Sequence, residues 1–499
     1  MTTQNRPPEQ SPSSPAASSR PMPAKLYSQA GVIGQSSGYY PTSLSGGMQP
    51  PPSPLPPFAP PPKRKRRSRL PLVATLLMLT CIVGVGILFG SRFFDTTSGS
   101  TGTTDYVPSL SPNAPIITPP LTPAQRADIQ NLAGYMKYKA LASLYVARMP
   151  LDVEIGQLIM VEYASGCDTI SCSNATSYYS SDLDTMINQY HAGGVIMYEF
   201  QMQNFQQTKN DIAEMQQRAG IPLLISTDEE GGPYVHRLSH IYGYRMSATD
   251  IASTGNVNVA TQQGLKAAHD LKSLGINENL APDVDVNINN GYDIVTRSFG
   301  STPQEVIKYA SAYIEALQGQ GVVGCIKHFP GLGAAIPDAH ATLPVVNRTA
   351  AQLYSTELAP YKAFIQSPNT LMNPGMIMPT DVLMPAIDPV YPAELSHIFM
   401  TDILRKQFGY DGVVLTDALY MQGITEKWDM NTAAIMALNA GDDMLLGPTG
   451  ADQMLSMMNA IKAALANGTL SKARIDEAAT RIIALKMEYH LMPAIAPQA

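Results

Sequence analysis

From residue 122 onward, short apolar runs alternate with stretches of helical periodicity. The runs are IGQLIMVEY (155–163), GGVIMYEF (193–200), PLLISTDEE (222–230) and NENLAPDVDV (277–286). They continue with VVGCIKHF (322–329), GMIMPTDV (375–382), GVVLTDAL (412–419) and DDMLLG (442–447). Short runs of this kind predict strands buried on both faces. Between them, residues 205–220, 259–275 and 302–321 carry helical patterns that each stop at Gly. Residues 122–149 predict a further helix, opened by Thr122 as N-cap with Pro123 at the first helical position.

Eight strand-then-helix units fit an α/β fold of the (β/α)8 TIM-barrel type over 122–499. An open doubly wound sheet is the alternative. Polar residues favour the barrel, because Asp228, Asp285, Lys327, His328, Asp381 and Asp417 fall at the C-terminal ends of runs. In a barrel those ends converge on one mouth.

The first part of the chain reads differently. Residues 1–62 are rich in Pro, Ser, Gly and Gln, which predicts disorder. A basic cluster, KRKRRSR, completes this tail at residue 69. Residues 70–90 then contain no charge. At about 1.5 Å per residue they would span roughly 30 Å, a bilayer core. A single transmembrane helix is expected there, with a buried core helix or a signal peptide as alternatives. The basic flank orients it with a cytoplasmic tail and an extracellular folded domain, so the expected location is the cell membrane, single-pass. Residues 91–121 are rich in Thr, Ser, Gly and Pro and read as a stalk.

The net charge is −7, but residues 1–69 hold nine Lys or Arg and one acid, leaving −15 for the rest. An acidic folded region argues against nucleic acid as a partner. Of four cysteines, Cys167 and Cys172 lie in a polar loop where a disulfide is expected, and Cys325 lies in an apolar run. No metal and no cofactor is expected, and a monomer is the favoured state.

Several residues suit chemistry. Asp417 ends a run and would point into the barrel mouth; capping of the next helix is the plainer alternative. In KHFPGLGAAIPDAH (327–340), Lys327 and His328 end a run and a Gly/Pro-rich loop presents Asp338 and His340. An Asp beside a His can orient the imidazole for proton transfer. A solvated surface loop is the alternative, and metal binding has no helical His spacing to support it. In STDEEGGPYVHRL (226–238), Asp228 closes a run, Gly231 and Gly232 permit close backbone approach, and Arg237 offers a fork of donors. Arg297 in VTRSFG is a loop cation that could equally be a surface charge.

Together these motifs resemble glycoside hydrolase family 3, in its β-N-acetylglucosaminidase branch, from about residue 149 to 491. The matching segments are MPLDVEIGQLIM, AGGVIMY, PLLISTDEEGG, APDVDVN, TRSFG, KHFPG with DAH, DGVVLTDALYM, ALNAGDDMLL and RIDEAATRIIALK. The resemblance implies Asp417 as nucleophile, His340 as general acid/base and Asp338 as its partner. It also implies that Asp228, Arg237, Arg297, Lys327 and His328 grip the sugar. The implied activity is retaining release of terminal β-linked N-acetylglucosamine from cell-wall or chitin-derived glycans.

Three departures touch the site. Leu332 stands where the family usually has a second His, DAH replaces DSH, and EGGPYVHR carries Pro233 and one extra residue before Arg237. Alternatives are another β-glycosidase or a phosphorylase of the same family, or a membrane-tethered glycan-binding protein without turnover.

Overall fold

The computed structural model describes residue 132 and residues 134–162, 177–289, 294–335 and 343–494. All of them belong to the compact unit Asp105–Ala499.

Among the described residues, eight strands close a barrel. They are β1 Ile159–Glu162, β2 Gly194–Ile196, β3 Leu224–Thr227, β4 Glu278–Asn279, β5 Val323–Phe329, β6 Met376–Pro379, β7 Val413–Ala418 and β8 Met444–Leu446. Neighbours in space are neighbours in sequence, and β1 pairs with both β2 and β8, which excludes an open sheet. Every barrel pairing is parallel. Side chains of these strands are almost all buried, because one face fills the barrel and the other meets the helices.

The helices show why their sequences stop and start where they do. In α1, Phe205–Arg218, Asn204 caps the N-terminus by accepting from the Gln207 N–H. In α2, Val257–Leu274, Gly275 closes the helix at φ 96°, a left-handed conformation suited to glycine. In α3, Pro303–Gln318, Thr302 and Glu305 form a capping box and Pro303 occupies the first turn.

One run divides. Residues 155–163 are expected to be a single strand, but Leu151–Gln157 is a helix and only Ile159–Glu162 is strand. Pro150 starts that helix and Asp152 and Glu154 fall in its first turn, where acids favour helix formation.

The end of the barrel opposite the polar mouth is tied by charge. Asp443, just before β8, accepts from Arg405 at 2.5 Å, Arg474 at 2.5 Å and Arg481 at 3.1 Å. Lys486, fully buried on the helix α4 Lys472–Glu488, donates to Gln157 Oε1 and to the Gly193 carbonyl, both at 2.8 Å. These residues precede β1, β2 and β8 and so sit at strand N-termini, the face that carries stability in such barrels.

The expected fold is corrected in one respect. Among the described residues no helix is long and apolar enough to cross a membrane. The 18-residue α2 shows why, since its exposed face carries Lys266 and Lys272 and its other face contains Asp270. The transmembrane helix is therefore not part of the observed architecture. Residues 70–90, like the tail, the stalk, the start of the 122–149 helix and the Cys167–Cys172 pair, lie outside the described residues.

Candidate active site

The C-terminal ends of the strands bring six of the eight expected site residues into one cavity of about 430 Å³. Asp228, Arg237, Arg297, Lys327, His328 and Asp417 all line it. The other two, Asp338 and His340, lie outside the described residues.

Each side chain is positioned by its place in the barrel. Lys327 and His328 project from the end of β5, Asp417 from the end of β7, and Asp228 directly follows β3. Arg237 follows a two-stranded hairpin, Glu229–Gly231 with Val235–His236. Gly231 and Gly232 have φ 83° and 72°, and a Cβ on either would meet Met246 O at 2.4 Å or Ser247 Cβ at 2.7 Å. The hairpin turn is thereby pressed against the Met246–Ser247 backbone, as only glycine allows.

A charged network forms the floor. Lys327 Nζ lies 2.5 Å from Asp228 Oδ1 and 2.8 Å from Glu230 Oε1. Arg297 grips Glu230 with two parallel bonds, Nε to Oε2 at 2.8 Å and Nη2 to Oε1 at 2.9 Å. Burial works against the charge on Glu230, but Arg297 and Lys327 outweigh it and hold the carboxyl well below the usual range. Burial also opposes the charge on Asp228, and Lys327 and Arg237 again outweigh it. Both carboxylates are therefore anionic at neutral pH and act as hydrogen-bond acceptors.

His328 is neutral. Burial, then the Arg297 charge, push its pKa down to about 4. Arg297 Nη2 donates to His328 Nε2 at 3.1 Å, and a guanidinium can only donate, so the ring proton sits on Nδ1. From there it donates to Asp285 Oδ2 at 2.7 Å. Asp285 Oδ1 accepts from the Leu332 backbone N–H at 2.7 Å. The stem of the Gly/Pro-rich loop is thus docked through Leu332's backbone, whatever its side chain.

Asp417 is partly accessible within the cavity. Its Oδ2 accepts from Thr380 Oγ1 at 2.8 Å and its Oδ1 from the Ala418 N–H at 2.8 Å. Its own N–H donates to Glu394 Oε2 at 3.1 Å. Burial, with the Asp381 and Asp417 charges, pushes the Glu394 carboxyl well above the usual range. The arrangement presents one oriented, hydrogen-bonded carboxyl group to a pocket floored by paired charges.

Among the described residues, Asp283, Asp285 and His328 could each offer one ligand atom to a cation. Their atoms are already engaged otherwise: His328 with Asp285, and Asp283 Oδ2 with Arg297 Nε at 3.6 Å. A cation there would have to compete with the guanidinium.

Sequence reasoning places Asp285 at the mouth without giving it a role, and misses Glu230, Thr380 and Glu394 as working parts of the site. Glu230 sits inside the TDEEGG motif and Thr380 lies near the end of its run, so the strand-end polarity that marks Asp285 is a signal for these two as well. Glu394 gives no such signal, since it reaches Asp417 from a connecting segment 23 residues away.

The chain matches the glycosyl hydrolase family 3 N terminal domain over residues 150–485. It is 30% identical over 392 residues to beta-hexosaminidase A of Pseudoalteromonas piscicida, covering 70% of this chain and 64% of that protein. It is 32% identical to a beta-hexosaminidase of Idiomarina loihiensis, covering 51% of this chain and 75% of the relative. Among solved structures it resembles a glycoside hydrolase family 3 beta-N-acetylglucosaminidase from Paenibacillus sp. str. FPU-7, with a TM-score of 0.62 and 32% identity, covering 69% of this chain and 63% of that one. A parallel eight-stranded barrel with an oriented carboxylate in its mouth, matched over this span, shows that the chain belongs to glycosyl hydrolase family 3.

Proposed function

We propose that this chain is a retaining β-N-acetylhexosaminidase that releases terminal β-linked N-acetylglucosamine from cell-wall or chitin-derived glycans. The observation that carries the reading is Asp417, held by Thr380 and the Ala418 N–H and facing a floor of paired charges. The two beta-hexosaminidases and the beta-N-acetylglucosaminidase matched above support the substrate class.

The reaction runs in two steps. Asp417 attacks the anomeric carbon as the bond to the leaving oxygen breaks, and His340 gives that oxygen its proton. A covalent glycosyl ester on Asp417 results. His340 then takes a proton from water, whose oxygen attacks the same carbon and frees Asp417. Asp338 orients the His340 ring. Asp228 accepts from sugar hydroxyls and Lys327 donates to them, while Glu230 keeps both Lys327 and Arg297 in place. Neutral His328 steadies Arg297 without adding a positive charge.

The test is hydrolysis of p-nitrophenyl N-acetyl-β-D-glucosaminide by the full chain, beside Asp417→Asn. Turnover that disappears with the substitution supports the reading. Absence of turnover in the unaltered chain overturns it.

A further inference from the structure

Strand alternation gives the hairpin two faces. Asp228 and Glu230 reach the charged floor, so Glu229 between them turns the other way, and His236 stands opposite Glu229 in the ladder. Arg237, the next residue, turns back to line the cavity. Its Nε is buried with no hydrogen-bond partner among the described residues, and its guanidinium stands over the Tyr198 ring at 5.4 Å. Its placement therefore rests on the backbone at either side.

That backbone is anchored to one buried side chain. Glu229 Oε1 meets His236 Nδ1 at 2.7 Å, and Glu229 Oε2 accepts from the Leu238 N–H at 3.0 Å. Both neighbours of Arg237 are thus tied to Glu229. The other ring nitrogen, His236 Nε2, meets the Gly243 carbonyl oxygen. A carbonyl can only accept, and so can a carboxylate. Only a ring with a proton on each nitrogen satisfies both.

The surrounding charges agree. Buried Arg245 stands between two acids, with Nε 2.7 Å from Glu229 Oε1 and Nη2 2.7 Å from Asp270 Oδ2 on α2. Two carboxylates against one guanidinium leave a buried negative charge that an imidazolium cancels. Tyr313 on α3 adds only its hydroxyl, donated to the Glu229 carbonyl at 3.4 Å, and His269, beside Asp270, is exposed. Burial opposes the charge on His236, but the Glu229 bond and charge and the Gly243 carbonyl outweigh it and hold its pKa above the ordinary 6.5.

We propose that His236 is a positioning residue: its imidazolium, bridging Glu229 and the Gly243 carbonyl, holds Arg237 against the sugar, so sugar binding weakens when His236 loses its proton. This rests on the hydrolase reading above. A neutral ring keeps one of its two bonds, and the hairpin loosens beside Arg237.

The test measures KM and kcat of the full chain on p-nitrophenyl N-acetyl-β-D-glucosaminide from about pH 6 to about pH 9, beside His236→Gln, which cannot take up a proton. In the unaltered chain KM should rise about tenfold as pH passes the His236 pKa. His236→Gln should show the high KM already at about pH 6 and hold it within about twofold across the range, with kcat within about threefold of the unaltered chain at each pH. Arg237→Ala, which keeps His236, should also lose the rise, because the effect passes through Arg237. A KM that stays level in the unaltered chain, or that rises equally in either variant, overturns the role of His236 and leaves the hydrolase reading intact. Absence of turnover in the unaltered chain removes both.

Discussion

Thr380 Oγ1 stands 2.8 Å from Asp417 Oδ2 and donates its hydroxyl proton to it. The bond fixes the rotation of the carboxylate, whose other oxygen is tied to the Ala418 N–H. It aims the attacking group before substrate arrives, the kind of positioning that lowers a barrier without adding a contact to the substrate. Thr380→Val keeps the shape and removes the donor. It should lower kcat about tenfold, with KM changed by less than about twofold, since one oriented hydrogen bond is worth about 1–2 kcal/mol. Steady-state kinetics on the chromogenic glycoside checks this; a rise in KM at unchanged kcat would show that Thr380 serves binding instead.

Glu230 neutralises two buried cations at once, Lys327 and Arg297. Glu230→Gln should destabilise the fold by about 3 kcal/mol, because removing one partner leaves buried charge unpaired. It should also weaken sugar binding, since Arg297 would lose its two-bond carboxylate grip while Lys327 keeps only Asp228. Thermal unfolding and KM measured on the same preparation check both. A variant as stable as the unaltered chain would mean that water replaces the carboxylate.

Lys486 gives a pH dependence far from the site. Burial lowers its pKa to about 7, against 10.5 for the ordinary side chain. The unfolded chain holds the proton up to about pH 10.5, and the folded chain releases it near pH 7. Between those values folding releases a proton, so Lys486's contribution to stability grows as pH rises from 7 to 10.5 and is absent below 7. Glu278, raised to about 7 by burial, lies close enough to act on Lys486 and titrates below this window. Urea unfolding at several pH values should therefore show a rising contribution in the unaltered chain that Lys486→Met lacks. Parallel pH curves for the two proteins would refute it.

Much of the barrel could be read from the chain because its strands are buried on both faces. Each apolar run contains one strand of the barrel, from Ile159–Glu162 to Met444–Leu446. The run at 155–163 misled because periodicity does not separate a buried helix turn from a strand, and the helix signals at Pro150, Asp152 and Glu154 lie partly outside the run. Strand ends pointed to Asp228, Lys327, His328 and Asp417, since in a parallel barrel chemistry gathers there. What escaped were residues whose role depends on a distant partner. Glu230 acquires its meaning from Arg297, 67 positions away, and Glu394 from the backbone of Asp417. Leu332, a departure from the family pattern in its side chain, contributes through its backbone, whose N–H donates to Asp285.

The central claim is that Asp417 attacks the sugar. Incubation of the full chain with a fluorinated N-acetylglucosaminide that slows breakdown of the covalent ester, followed by proteolysis and peptide mass measurement, tests it most directly. The account predicts one sugar added to the peptide carrying Asp417, and none in Asp417→Asn. A sugar attached to a different residue would contradict it.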